Sequence, residues 1–538
     1  MTQLPGAPAP RTQETGDRST DEALVRSSAL VGVGTALSRI TGLIRTVALA
    51  YAVGNTVLAN SYNLANTTPN IIYDLILGGI LSATLVPVFV DRFDKNDRDG
   101  INAVVTMIVS ALTALTVVTL LAAPWIFRAY TWAAGDEAAE LERAGIPLLR
   151  MFVPQILFYG LIALATALLN ARRTFAAPAF APVLNNLLVT GVLLWFAHLA
   201  ERSPSVDQVV DDRGLLWLLG AGTTAGIVVM TLALWPSLRR AGIGFRWRFE
   251  PRNPAVRKVA SLSGWTFGYV VANQIALAIV LALATRDGDA AVYLYAFQFF
   301  QLPYGLFAVS VMTTFTPELA AAASRGDQAQ FRDRLAQGLR FLTLVVLPSS
   351  VGMALLARPL IIGLLGHGSF SGEAGVVTAD VLIGFSVGLL GFSVYLFAMR
   401  GFYALQDTRT PFLLNLLENG LNVVLAIALV GRYGVQGLAV AYSVAYMVAA
   451  VVALSVLRRR VGGVGGRALA SPVARMTVAA AAMGAAVYGV SRVVGGDSGA
   501  EAGVRLAAGV VVGVVVYGAA LVLLRVEDAR RITGRLRR

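Results

Sequence analysis

Two arginines stand inside an apolar run, in the stretch SRITGLIRTVALAYAVG that spans residues 38–54. On insertion scales an arginine at mid-bilayer costs about 2.5–3.5 kcal/mol. Arg39 lies about eleven residues, or about 16 Å, from either end of the run, too far for its side chain to reach an interface. Arg45 is nearer one end and can snorkel. A guanidinium held at such depth does one kind of chemistry well: its planar fork of donors takes phosphate oxygens in pairs. Two readings of Arg39 stay open. It lines a water-filled cavity that attracts an anion, or it forms a buried pair with Asp74, near the middle of the next apolar run.

A second group carries a carboxyl. Asn415, Glu418, Asn419 and Asn422 share one helix face by three-and-four spacing. An ionisable group mid-span marks a function, so Asn415, Glu418 and Asn419 form a candidate cation site for Na+ or H+. Other amides lie at Asn60, Asn63 and Asn66, at Asn273 and Gln274, and at Gln298 and Gln301. They line a cavity or make interhelical hydrogen bonds worth about 0.6 kcal/mol each. The candidate substrate-binding set is therefore Arg39, Arg45, Asn60, Asp74, Gln274 and Gln298. Pro69, Gly78 and Gly79 in one run, and Pro303 and Gly305 in another, are candidate hinges, because proline removes a helix hydrogen bond and glycine permits the bend. Static packing is the alternative.

These residues are positioned by apolar segments. The chain has 538 residues, 56% hydrophobic and 14% charged, where a soluble protein carries about 25% charge. Its mean hydropathy is +0.68. Apolar runs recur from Ala29 to Leu524, which predicts an all-α polytopic membrane protein of about fourteen transmembrane helices. Expected spans are 28–51, 61–90, 101–125, 146–170, 179–200, 214–237, 259–285, 290–320, 338–365, 376–403, 411–431, 435–457, 472–492 and 504–525. Residues 1–26, polar and proline-bearing, read as a disordered cytoplasmic tail and not as a cleaved signal.

The net charge is +13. Nucleic acid is excluded as the partner, because the arginines cluster in alternate loops as membrane topology demands. Arg92, Lys95 and Arg98 share a side with Arg172, Arg173, the arginines of 239–258, Arg458 to Arg460 and the basic tail. Asp136, Glu137, Glu140 and Glu142 mark the other side. The basic side should be the cytoplasm, with both termini inside and the chain multi-pass in the plasma membrane.

An internal repeat is visible. LLNARRTFAAPAFAPVLNNLL (168–188) resembles GFYALQDTRTPFLLNLLENGL (401–421), and LVPVF (85–89) resembles FTPEL (315–319). The offset of about 230 residues equals six helices, so the repeats are parallel, with a substrate site between them near the midplane. The organisation is an N-lobe at 27–238, a basic linker at 239–258, a C-lobe at 259–458, two extra helices in 470–525 and a basic tail at 526–538.

The chain has no cysteine, and His198 and His367 lie far apart, so thiol chemistry and a paired-histidine metal motif are excluded. No P-loop or nucleophile elbow occurs. The expectation is a non-enzyme that needs no cofactor and draws on Na+ or H+ coupling, membrane potential or a downhill substrate.

SRITGLIR followed by TTPNIIYDLILGGILSATLVPVF resembles the start of the MurJ/MviN lipid II flippases. LNARRTFAAPAFAPVLNN, QLPYGLFAVSVMTTFTPEL, LLGHGSFS and FYALQDTRTP follow in the family's order, over about residues 28–460. Arginine outnumbers lysine, which is similar to actinobacterial members. The resemblance implies two six-helix lobes of the multidrug/oligosaccharidyl-lipid/polysaccharide exporter type, with helices 13 and 14 forming a lipid-tail groove. It implies as substrate lipid II, the undecaprenyl-pyrophosphate-linked disaccharide-pentapeptide, moved between leaflets for peptidoglycan synthesis, with membrane lipids and cell-wall synthesis proteins as partners. Arg39 and Arg45 match the family's two first-helix arginines. The chain departs from the family at Thr46 and Asn60, where an acidic residue is expected by resemblance, at Tyr73 and Asp74, where many members carry arginines, and at Phe297-Gln298, where many carry an Asp-Arg pair. The Asn-x-x-x-Asp pair through which some members bind sodium reads Asn415-x-x-x-Asn419 here. Rival readings are a flippase for another polyprenyl-linked glycan, a cation-coupled drug exporter, which would use Asp74 and Glu418, and a cell-wall scaffold that moves nothing.

The topology has a direct test, since the chain lacks cysteine. Of single variants Ala241→Cys and Ala139→Cys, only the second should react with an impermeant thiol reagent in intact cells. The opposite labelling pattern overturns the orientation.

Overall fold

The computed structural model describes residues 14–73, 85–200, 204–257, 264–286, 288–370, 372–496 and 499–526. Asp74, Gly78 and Gly79 lie outside the described residues. Within them the secondary structure is helical, without strands. The N-terminal helices are α1 (Glu14–Val53), α2 (Val57–Tyr73), α3 (Val86–Asp94), α4 (Arg98–Thr131), α5 (Ala138–Phe152), α6 (Gln155–Ala171), α7 (Ala176–Leu199), α8 (Val206–Asp211) and α9 (Arg213–Arg240). The next set is α10 (Gly264–Ala284), α11 (Ala290–Pro303), α12 (Val309–Ser324), α13 (Gln328–Leu365), α14 (Gly372–Ala404) and α15 (Arg409–Val461). Two more follow, α16 (Gly466–Val493) and α17 (Gly499–Leu523).

Among the described residues eleven helices are long and apolar enough to cross a membrane, against about fourteen expected. The difference has three sources. Gly268–Ala284 is a shorter apolar helix. The stretch from α2 to α3 contains undescribed residues. And α15, 53 residues long, would reach about 80 Å if straight, far beyond a hydrocarbon core of about 30 Å. It is not straight: Gly434, at φ 53° and ψ −143°, breaks it into two arms. That backbone region is essentially glycine-only.

Helix α1 begins at Glu14, so the expected disordered tail of 1–26 is corrected at its C-terminal half. Pro5, Pro8 and Pro10 all precede Glu14. From there nothing stops an existing helix from propagating, and propagation needs no new nucleus.

The helices form two bundles. In one, α1 packs on α7, α7 on α9, and α2 on α5; in the other, α15 packs on α14 and α10, and α14 on α13. The sequence repeat reappears as repeated turn geometry. Asn96 and Gly326 both have left-handed φ, at 54° and 68°. The next residues, Asp97 and Asp327, cap α4 and α13, accepting from Gly100 N at 2.8 Å and Gln330 N at 2.9 Å. Such caps satisfy orphan N–H groups and favour a carboxylate. The Gly100 bond first, and then Arg92, hold the Asp97 carboxyl below its usual range. Arg173 and Gln406, equivalent in the second repeat match, also share left-handed φ, 57° and 59°. The caps lie outside the apolar windows, which is why α4 and α13 begin before the spans expected from hydropathy. The extra helices α16 and α17 pack on each other and on α13.

Candidate functional site

The bundles are clasped together at their acidic end. Asn60, only 2% exposed at the start of α2, donates through Nδ2 to Gly288 O and accepts through Oδ1 from Ala291 N at 2.7 Å. Both ends of the amide are used. Asn60 and Ala291 are 231 residues apart, close to the repeat offset, so two related helix starts meet each other, as an axis along the membrane normal requires. Ser369 N donates to Tyr51 O at 2.9 Å, and the Tyr295 hydroxyl donates to Gly54 O at 3.3 Å. The approach is backbone against backbone. Gly54 has φ +67°, and a Cβ there would lie 2.1 Å from Ser369 O. Gly368 has φ +66° and faces Tyr51 in the same way. Only glycine combines such φ with such contact. The structure therefore moves Asn60 from the candidate substrate-binding set to the clasp, because its polar atoms are spent there.

Below the clasp lie the arginines. Both are half-buried, and no carboxylate among the described residues pairs with either. Arg45 lies within electrostatic reach of Tyr62, whose hydroxyl is 3.0 Å from Thr223 Oγ1. Arg39 crosses to the other bundle. Its guanidinium lies against Gly305, where a Cβ would come within 3.1 Å of its Nε and Cζ. Gly305 belongs to a π-helical turn, Tyr304–Ala308, directly after Pro303. Proline deprives the helix of a hydrogen bond, and π turns recur at functional sites. The helix interruption read from Pro303 and Gly305 is present, and it is where the first-helix arginine docks. Pro69 is likewise inside a helix, α2. The ion-pair reading of Arg39 involves Asp74, which the described residues do not include.

Sequence reasoning missed Arg400. It is exposed near the end of α14 and lies, with Arg39, within electrostatic reach of Tyr304. It carried the signal that flagged Arg39, an arginine in an apolar span, but four residues from the helix end snorkelling explains it. Gln274 and Gln298 are half-buried, with Gln274 Oε1 lacking a donor. Phe297 stacks on Tyr293 at 6.4 Å and packs on Phe385 at 5.5 Å and Tyr442 at 5.7 Å. It is thus part of a ring cluster.

Glu418 is 1% exposed, and its Oε2 has no hydrogen-bond partner. Asn415 Oδ1 and Asn422 Oδ1 on the same face also lack donors. The amide nitrogens of Asn415 and Asn419 both donate to Asn273 Oδ1, at 3.0 and 2.8 Å. Tyr446 lies beside the carboxyl. Three buried acceptors without donors suit a cation or a proton, since hard cations take oxygen ligands. The amide nitrogens of the pair are thus satisfied, and its unmet demand is for a donor or cation at Asn415 Oδ1.

An apolar groove of about 630 Å³ opens at the same π turn. Phe299, Leu302, Pro303 and Phe307 form one end, and Leu344 to Leu360, Met483, Val487 and Leu506 to Gly518 carry it along α13, α16 and α17. Tyr517 anchors α17 by donating to Leu344 O at 2.9 Å. The groove that resemblance assigned to the last two helices is built equally by α13 and the π-turn segment.

The clasp can be tested by cross-linking. Asn60→Cys with Ala291→Cys, in a chain otherwise free of cysteine, should oxidise to a disulfide that stops transport, with recovery on reduction. Full cross-linking with undiminished transport would show that the clasp never opens in the cycle.

The comparisons agree with this architecture. The family model for "Lipid II flippase MurJ" matches residues 49–516. A "Lipid II flippase MurJ" of Burkholderia cenocepacia is 30% identical over 400 residues, 72% of this chain and 75% of that protein. A "Probable lipid II flippase MurJ" of Rhizobium meliloti is 28% identical over 81% of each. Among solved structures, "Lipid II flippase MurJ, inward closed conformation" superposes with a TM-score of 0.76 at 21% identity, over 94% of this chain and all of that one. An inward-facing multidrug resistance transporter of the MATE family gives 0.65 at 16% identity, over 79% of this chain and 94% of its own. With a family model covering most of its length, the chain belongs to the MurJ lipid II flippase family.

Proposed function

We propose that this protein flips lipid II from the inner to the outer leaflet of the plasma membrane by alternating access between its two bundles, for peptidoglycan synthesis. One observation carries the reading: a single π turn takes the Arg39 guanidinium, unpaired among the described residues, against Gly305 and lends Phe307 to the apolar groove. A lipid with a pyrophosphate head and a polyprenyl tail presents that combination. The head takes the bidentate donors of Arg39, with Arg45 and Arg400 adding positive potential, and the tail lies in the groove. The cost of burying Arg39 is offset by water and by the bound anion. Two uncompensated arginines repel the cationic drugs that an exporter would carry, and a scaffold would have no use for them. Relatives named lipid II flippases support the same substrate.

The basic face is the cytoplasmic one in this proposal, with both termini inside. The clasp then closes the outer side, and the cavity loads from the inner leaflet. Bending near Pro69 and at Pro303–Gly305 reopens it outward, where cell-wall synthesis enzymes consume the product. Coupling runs through Glu418. A buried carboxylate with no cationic partner is too costly to stand alone, so a proton or a sodium ion accompanies it, and Asn415 and Asn422 supply further oxygens.

Charge alone should not serve the head group. Arg39→Lys keeps the charge and loses the fork, and a charged hydrogen bond is worth roughly 1.5–3 kcal/mol, so lipid II affinity should fall about ten- to a hundredfold. Arg39→Ala should be worse yet still fold. If Arg39 instead pairs with Asp74, the order reverses: the lysine variant is nearly silent, Arg39→Ala lowers the melting temperature, and adding Asp74→Ala restores it. Lipid binding and melting temperature on the three variants decide the matter.

The coupling proposal separates from the substrate proposal in proteoliposomes. Glu418→Gln should leave lipid II binding near normal and abolish the acceleration of flipping by an imposed pH or sodium gradient. An unaltered gradient response in that variant removes Glu418 from the coupling path.

A further inference from the structure

The turn between α15 and α16 takes no part in the site above. Gly462, Gly463, Gly465 and Gly466 have φ of 73°, 146°, 93° and 46°, so this turn carries almost no side chain. It borders a cavity of about 860 Å³ at the basic end of the C-terminal bundle, where α13, α14, α15 and α16 converge. The walls are apolar, with Leu339, Leu390, Leu454 and Val473 among them. The mouth is charged, by Arg332, Arg458 and Asp333. Arg332 is held in place: Nε donates to Gln328 O at 3.1 Å and Nη1 to Gly462 O at 3.3 Å. About three of its five N–H donors remain. No ion pair joins Arg332, Arg458 or Asp333 to another described residue.

We propose that this cavity binds a phosphatidylglycerol-type lipid of the inner leaflet, with its phosphodiester at the two guanidiniums and an acyl chain along the leucine-lined wall. Charge balance selects the head group. Two guanidiniums and one carboxylate leave the mouth one charge positive, which a phosphodiester monoanion neutralises. A zwitterionic head leaves that charge uncompensated. Hydroxyls on the head donate to Asp333, which a bare phosphatidic acid does not offer. Basic pockets between helices on the cytoplasmic side are where anionic lipid heads are held. The site is separate from the lipid II groove: its lining shares no residue with Phe299 to Phe307 or with α17. A lipid here fills the seam that joins α16 to the bundle, and so steadies one wall of the groove from behind. The inference rests on the membrane orientation proposed above and not on the identity of the flipped lipid.

The test uses the full-length protein, delipidated in detergent, with phosphatidylglycerol, phosphatidylethanolamine and phosphatidylcholine added in turn. Melting temperature and native mass spectrometry report binding. Phosphatidylglycerol should raise the melting temperature saturably and remain bound at one copy, the other two lipids much less. Arg332→Ala with Arg458→Ala should weaken retention about tenfold, as should Leu390→Trp, which fills the cavity and leaves the charges. Arg459→Ala, exposed and outside the lining, should behave as the parent. Lipid II binding should persist in all three variants. Equal shifts with all three lipids, a preference for phosphatidylethanolamine, or full retention in both cavity variants would each overturn the proposal; loss of lipid II binding alone would assign the mouth to the substrate.

Discussion

Inside hydrocarbon a polar group has no water to fall back on, so each one is satisfied by the protein or is waiting for something else. That constraint sorts the molecule. Thr and Ser hydroxyls along the spans bond back to their own helices, as Thr41 and Ser386 do. Asn60 spends its whole amide on the clasp. Asn186 holds α1 to α7 by donating to Ser38 O and Thr41 Oγ1, both at 3.1 Å. Among the atoms left over, two sets stand out: arginine donors facing the space between the bundles, and acceptor oxygens on one face of α15. Donors without acceptors call for an anion, and acceptors without donors call for a cation or a proton. The two sets lie in different places, so the proposed substrate and the proposed coupling ion would not compete for one site.

The repeat explains how a closed end can also open. Equivalent helix starts meet at Asn60 and Ala291, and they do so through a handful of hydrogen bonds and glycine contacts rather than through a packed aromatic core. A net hydrogen bond contributes about 0.5–1.5 kcal/mol, so a few of them close the end without locking it. The large apolar cluster of Tyr293, Phe297, Phe300, Phe385, Phe392 and Tyr442 sits within the C-terminal bundle instead. Each bundle is therefore stiff, and compliance is concentrated where they touch.

Much of this was legible before any coordinates. Apolar runs gave the helical class, alternate basic loops gave two distinct faces, and two short matches gave the repeat that recurs in the paired caps at Asp97 and Asp327. Arg39 was legible because a mid-span guanidinium has no bland explanation at that depth. Asn60 was misread, because an amide at a span boundary looks the same whether it faces a cavity or another helix start. The clasp glycines were invisible: Gly54 and Gly368 matter through positive φ and through contacts with Ser369 and Tyr51, far away in the chain, in a clasp that Ser369 also ties to Ala52 O, 317 residues away. The break in α15 was legible: the expected spans 411–431 and 435–457 part where Gly434 leaves the helical region.

The departures from the family become coherent once Phe297 is placed. A charged residue there would face the ring cluster of Phe385 and Tyr442. With an aromatic at this position, the segment leading to Pro303 is anchored by packing, and the π turn receives Arg39 from α1 of the other bundle beside Arg400 of its own. In the proposed mechanism, head-group recognition would then depend on the bundles being together at that level, since Arg39 and Gly305 belong to different ones. A substrate that bridges them is held more tightly in the conformation that brings them together, and a ligand shifts an equilibrium only by such a difference in affinity. In the proposed mechanism, the same arginine that is costly to bury is the group through which the lipid would bias which end of the protein is closed.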